Sequence, residues 1–231
     1  MYFGNYGLYI LISLPALLLG FYAQAKVQGS FNKYSRVRTS NGMTGSEVAR
    51  KILDYNGLND VRIESTHGTL SDHYDPRKKI LRLSQGVHSV PSIAAAGIAA
   101  HEAGHAIQHA KKYGPLALRN LMVPSVQLGS WLGPIVFMVG LFLANESLAL
   151  LGLALFGATA VFAIITVPVE LDASNRAKGM LTSSGILYSN EMKGVESVLN
   201  AAALTYVAGA IQVVSTLLYY ALMLFGGRRR N

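Results

Sequence analysis

Of the 231 residues, 51% are apolar and 14% are charged, where an ordinary soluble domain carries about 25% charged residues; the apolar residues gather in a few long runs, which excludes a wholly soluble globular protein. Cysteine is absent, so there is no disulfide framework and any metal must be held by histidine and carboxylate. The formal charge of +8 suits basic residues flanking membrane segments better than nucleic acid, because no aromatic-interleaved basic patch or nucleic-acid motif accompanies it.

Residues 6–23 carry no charge and are long enough to span a bilayer as a helix. Pro15 and Ala23-Gln24-Ala25 resemble the end of a signal peptide, but no Lys or Arg precedes the run, where such a peptide needs positive charge. A retained anchor over residues 1–25 is the expectation. Residues 26–122 then have ordinary polar composition and are expected to fold as a catalytic domain. Thr44-Gly45-Ser46-Glu47 is a capping box before Val48, Ile52 and Leu53, so a helix of about ten residues starts there. Residues 61–64 and 79–84 alternate as strands, residues 70–74 lie between them, and Asp75-Pro76 marks a turn. The expectation is a small β-meander. Ser92 opens a further helix extending to about Lys111.

Apolar runs at 128–144, extendable towards Val123, and at 147–169 are joined only by Asn145-Glu146, which predicts a transmembrane hairpin over residues 123–169. Residues 170–200 are polar again and read as a second catalytic segment. A last apolar run, 201–225, leads to the basic tail Arg228-Arg229-Arg230 within residues 201–231. Lys26, Lys33, Arg36, Arg38, Lys111, Lys112, Arg119, Arg176, Lys178 and Lys193 all fall on one side of these spans, which should be cytoplasmic. The tail conflicts with this: either it breaks the rule or the last helix does not cross fully.

Chemistry enters at His101-Glu102-Ala103-Gly104-His105, which reads H-E-x-x-H. On a helix the two histidines project from one face, one turn apart, and can share a zinc ion. Glu102 can then take a proton from the attacking water as general base. With the apolar runs, the motif predicts a mainly α membrane protein of about four transmembrane helices with an inserted α+β zincin-like catalytic domain. A catalytic zinc needs a third protein donor. His109 lies about 12 Å from His101 along a straight helix, with no glycine between His105 and His109 to turn it back. It is expected to support the site or to be solvated. Glu170 ends the third apolar run on the same side as His101, so the hairpin returns it towards the H-E-x-x-H helix; Asp172 is its rival. Pro168 predicts a helix break or restart near both.

These segments resemble the YugP-like family of membrane zinc peptidases and, more distantly, HtpX and the CAAX prenyl proteases. The resemblance covers most of the chain. It rests on Leu70-Ser71-Asp72-His73-Tyr74-Asp75-Pro76, on Ser92-Ile93-Ala94-Ala95, on the stretch Ala99 to Gln108 around the motif, and on Glu170-Leu171-Asp172-Ala173-Ser174. HtpX-like proteins take the third zinc ligand from the glutamate of E-x-x-A-D, which overlays on Glu170 with Ala173 matching. Their aspartate, which orients a zinc-bound histidine, is Ser174 here, and Asp172 is the candidate to supply that carboxylate. The resemblance implies Zn2+ as cofactor and an active site facing the cytoplasm.

The mechanism so implied is amide hydrolysis, with Glu102 taking a proton from water and returning one to the departing amine. Arg176, Tyr188, His73 and His67 are chemically able to stabilise the oxyanion, and an extended substrate could pair with an edge of the meander. Peptide or membrane-protein substrates and the lipid bilayer are the expected partners. Two function classes follow. One is a membrane-anchored zinc endopeptidase in membrane protein quality control. The other is a non-catalytic zinc-containing scaffold or protease-complex partner, which would recruit a fourth protein ligand such as His73 or Asp172. Glu102, unnecessary as a ligand, favours the enzyme. Serine hydrolysis finds no triad arrangement around Ser71, Ser84 or Ser89, and a transporter would need charged groups at midplane that the spans lack.

Overall fold

The computed structural model describes residues 6–226; the basic tail at Arg228-Arg229-Arg230 lies outside the described residues. In chain order the elements are α1 (Tyr6–Tyr34), α2 (Gly45–Tyr55), β1 (Arg62–Thr66), β2 (His73–Asp75), β3 (Ile80–Ser84), α3 (Gln85–His88), α4 (Ile93–Ala110), α5 (Gly114–Phe142), α6 (Glu146–Ser183) and α7 (Ser189–Gly226). Within the described residues four helices are long and apolar enough to cross a membrane: Tyr9–Tyr34, Gly114–Phe142, Glu146–Ser183 and Ser189–Gly226. The chain is thus a mainly helical membrane protein with a small α+β region.

Two compact units divide it. The first takes the described parts of residues 1–22, 117–168 and 205–231. Here α5 and α6 form a tight hairpin closed by Ala144 in the left-handed region (φ 51°), with the Asn145 carboxamide oxygen accepting from the Leu148 N–H. Glycines let the two helices touch: a Cβ on Gly133 would lie 2.7 Å from the Phe156 nitrogen. Without a hydrophobic drive between helices in lipid, such close backbone packing supplies the attraction. Phe137, fully buried, stacks on Tyr220 at 4.5 Å between ring centroids.

The second unit takes residues 23–116 and 169–204. Helix α2 begins with the full capping box, Thr44 and Glu47 each satisfying the other's backbone N–H, and buries Val48, Ala49, Ile52 and Leu53. The three strands are not a meander. Their order is β1-β3-β2, with β1 parallel and β2 antiparallel to β3. The most apolar strand takes the centre: Ile80, Leu81 and Leu83 of β3 are buried, whereas β1 and β2 carry the polar residues to the two edges. The loop and strand between β1 and β3 supply the long crossover that a parallel pair requires.

Helix α4 is capped by the Ser92 hydroxyl, which accepts from the Ala95 N–H at 3.2 Å. Its alanines at 94, 95, 96, 99, 100, 103 and 106 are all buried, so neighbouring elements can approach it closely around most of its girth. Pro168 neither breaks nor restarts a helix, because α6 runs through it. Beyond the proline, Val169, Ala173, Ala177 and Leu181 recur every fourth residue and are fully buried. An interior proline costs about 3 kcal/mol, and burying Val169 and Leu181 alone returns roughly 1.5–3 kcal/mol each. Packing therefore wins over the local helix-breaking signal.

Candidate metal centre

The segment of α6 after Pro168 lies antiparallel to α4 inside the second unit. His101 meets Ser174, His105 meets Glu170 and Gln108 meets Val169, so successive turns of one helix face successive turns of the other in reverse order. At the middle of this seam Gly104 rests against Ala173: a Cβ on Gly104 would stand 2.7 Å from the Ala173 carbonyl oxygen. Glycine is what permits the approach, and the approach brings the polar side chains together.

The Glu170 carboxylate oxygen Oε2 lies 3.2 Å from His101 Nε2 and 3.5 Å from His105 Nε2. Among the described residues these three form the one cluster able to hold a metal ion. Tetrahedral zinc with bonds of about 2.0–2.1 Å separates its donors by about 3.3 Å, so these distances fit zinc closely. Two imidazoles and one carboxylate are also the donor set of catalytic zinc, which leaves a fourth position open. The residues present fit the metal. Glu170 is 2% exposed, and the histidine side chains are 13% and 12% exposed.

Each histidine is held by its other ring nitrogen. His101 Nδ1 lies 3.1 Å from the Ser174 hydroxyl and His105 Nδ1 lies 3.0 Å from the Gln108 carboxamide oxygen. Gln108, wholly buried, donates from Nε2 to the Val169 carbonyl at 2.8 Å and to the Asp172 carboxylate at 2.7 Å. Asp172 is in turn paired with Arg176 at 2.6 Å, and the guanidinium lies over the Tyr113 ring. Burial pulls the His105 pKa down, but the hydrogen bond to Glu170 and the charges of Glu102 and Glu170 outweigh it and hold the imidazole above its usual 6.5. Glu102 is itself buried, adjoins His101 in the helix and has no hydrogen bond or ion pair with another described residue.

Several expected participants stand elsewhere. Asp172 does not join the metal-competent cluster; the contact to His101 is made by the Ser174 hydroxyl, while Asp172 pairs with Arg176 and accepts from Gln108. His109 pairs its Nδ1 with the Tyr74 hydroxyl at 3.0 Å, beside a cavity of about 190 Å³ that also touches Asp60 and Lys79. Burial and the charges of Asp60 and Asp75 push that phenol up to about 12. His73 is exposed, with Nδ1 on the Ser71 carbonyl and Nε2 beside Arg82. His67 and Tyr188 are exposed as well. Sequence reasoning assigned nothing to Gln108; its spacing of three from His105, which puts both on one helical face, was the available signal.

Residues 9–225 match the model of a family described as "Putative neutral zinc metallopeptidase". The chain belongs to this family. It is 47% identical over 224 residues, 97% of this chain and 100% of the relative, to the "Putative membrane protease YugP" of Bacillus subtilis (strain 168). No solved structure matches it. The family is one of zinc metallopeptidases, and the cluster of His101, His105 and Glu170 could hold such an ion. With four spanning helices it makes the chain a multi-pass membrane protein of a protease family, whose substrates are peptides.

Proposed function

We propose that the chain is a zinc metalloendopeptidase of gluzincin type, with His101 and His105 from one helix and Glu170 from another holding the metal. The observation that carries this reading is the convergence of three donors at 3.2 and 3.5 Å, the spacing tetrahedral zinc requires. Zinc held there supplies Lewis acidity towards water and the substrate carbonyl. Glu102, buried and one residue after His101, takes the proton of the attacking water and returns it to the departing amine. The Ser174 and Gln108 contacts keep both imidazoles aimed at Glu170 throughout. An extended polypeptide can add to β1 or β2, the two edges of the sheet, through main-chain hydrogen bonds. That mode favours unfolded segments, hence a role in clearing damaged membrane proteins. The basic residues flanking the spans support a cytoplasmic active site.

Elemental analysis of the detergent-purified protein tests the centre, followed by cleavage of an unfolded protein substrate. About one zinc per chain is expected, with clear loss in Glu170→Ala. Glu102→Gln should keep the zinc and lose cleavage. Zinc-free folded wild type, or equal cleavage by Glu102→Gln, would overturn the reading. Because the chain has no cysteine, Lys78→Cys in intact cells reports the side: protection from an impermeant maleimide is expected.

A further inference from the structure

The geometry points to Gln108 as the positioning residue that fixes His105 in one tautomer for the metal, with its amide set by Val169 and Asp172. This inference rests on the metallopeptidase reading above and adds a requirement to it. The side chain is wholly buried, so each of its polar atoms must find a partner within the fold. Its NH2 group faces two groups that only accept: the Val169 carbonyl at 2.8 Å and an Asp172 carboxylate oxygen at 2.7 Å. These two acceptors determine which end of the amide is which. The oxygen is thereby turned to His105 Nδ1 at 3.0 Å, and it can only accept. His105 must therefore carry a proton on Nδ1, and in the neutral ring the lone pair lies on Nε2, the nitrogen 3.5 Å from Glu170. His101 has no such constraint, since the Ser174 hydroxyl can donate or accept.

A carboxamide is required here, not merely a side chain of this length. Glutamate at this position would keep an acceptor for His105 but set its second oxygen against the Val169 carbonyl and the Asp172 carboxylate. Methionine would keep the volume and lose every hydrogen bond. Arg176, paired with Asp172 at 2.6 Å, holds the far end of the chain in place. The amide lets a carboxylate support a metal-binding histidine at one remove, since the hydrogen bonds that link His105 to Asp172 run through the Gln108 side chain.

Zinc affinity, measured by competition with a chromophoric chelator, and the visible spectrum of the Co2+-substituted protein test this on full-length variants in detergent. Gln108→Glu should lose about ten- to a hundred-fold in zinc affinity, the usual effect of removing a group that orients a metal-bound histidine, and should change the Co2+ band. Adding Asp172→Asn should recover part of that loss, because the new amide donates to the carboxylate introduced beside it; a purely structural role predicts no recovery. Should Gln108→Glu not fold, Gln108→Met carries the test, with the same loss expected while the metal-free thermal transition is kept. Wild-type affinity and Co2+ spectrum in the single variants, or a double variant no better than Gln108→Glu, overturns the inference and leaves the metal centre standing. Absence of zinc from the wild type overturns the metal centre instead.

Discussion

The Ser174 hydroxyl lies 3.1 Å from Nδ1 of His101 on the α4–α6 seam, in the contact for which the Asp172 carboxylate was the candidate. A hydroxyl orients the ring without adding negative charge beside Glu170. Ser174→Ala should lower zinc affinity by about tenfold, whereas Ser174→Thr, which keeps the hydroxyl, should stay within about threefold of wild type. Competition titration with a chelating dye checks both. Equal affinity for Ser174→Ala would mean that the ring is held by packing alone.

Gly104 makes a second, steric prediction. Alanine is the better helix former by about 0.8–1 kcal/mol, but its Cβ would stand 2.7 Å from the Ala173 carbonyl oxygen. Overpacking of this kind costs about 1–3 kcal/mol. The clash wins, and relief requires α4 and α6 to move apart at the point where the donors meet. Gly104→Ala should therefore reduce both the thermal transition and the zinc content of the purified protein. A variant with full zinc content would show that the seam tolerates separation.

Metal uptake should depend on pH in a direction set by His105. Its pKa is raised above 6.5 in the metal-free fold, so the protonated ring paired with Glu170 stabilises that fold below 6.5 and the contribution is lost as pH rises through the raised value. Zinc must displace this proton. Its affinity should hence fall with acidification starting above pH 6.5, by up to about tenfold per pH unit for the one proton. Chelator competition across a pH series measures it, and a flat profile around neutrality would contradict the assignment.

Asp72 has the same sign as His105, the reverse of what a paired carboxyl usually shows. Burial raises its pKa above 3.8 despite two hydrogen bonds from Ser84. The folded chain then binds this proton more tightly than the unfolded one, so stability falls as pH rises through the interval between 3.8 and the raised value and stays lower above it. Asparagine can accept from the Ser84 N–H and donate to the hydroxyl, without the buried charge. Asp72→Asn should match or exceed the wild-type thermal transition near neutral pH, and that advantage should shrink in acid. Scanning calorimetry at two pH values decides it; a neutral-pH transition well below wild type would refute it.

What the sequence made legible was local. The capping box at Thr44, the Ser92 cap and the two-histidine spacing are encoded within a few residues of one another, and each produced the helix it announces. Four apolar stretches likewise read directly as spanning helices. Glu170 was legible only by combining the hairpin with the charge of a carboxylate at a span's end. The rest depended on distant partners. Strand order follows from how deeply Leu81 and Leu83 are buried, and the passage of α6 through Pro168 follows from the stripe ending at Leu181. Gln108 has no recognisable motif of its own, because its meaning lies in Val169 and Asp172, more than sixty positions away.

That separation has a bearing on how the molecule is made. His101 and Glu170 are 69 positions apart, and Ser174 lies later still. A ribosome that has released the H-E-x-x-H helix has yet to deliver the carboxylate that would complete the proposed set of donors. The nascent chain thus carries an incomplete centre over those 69 positions, and the same is true of any fragment ending before Glu170. The hydrolase proposed above would by this arrangement be inert while its own chain is still unfolded.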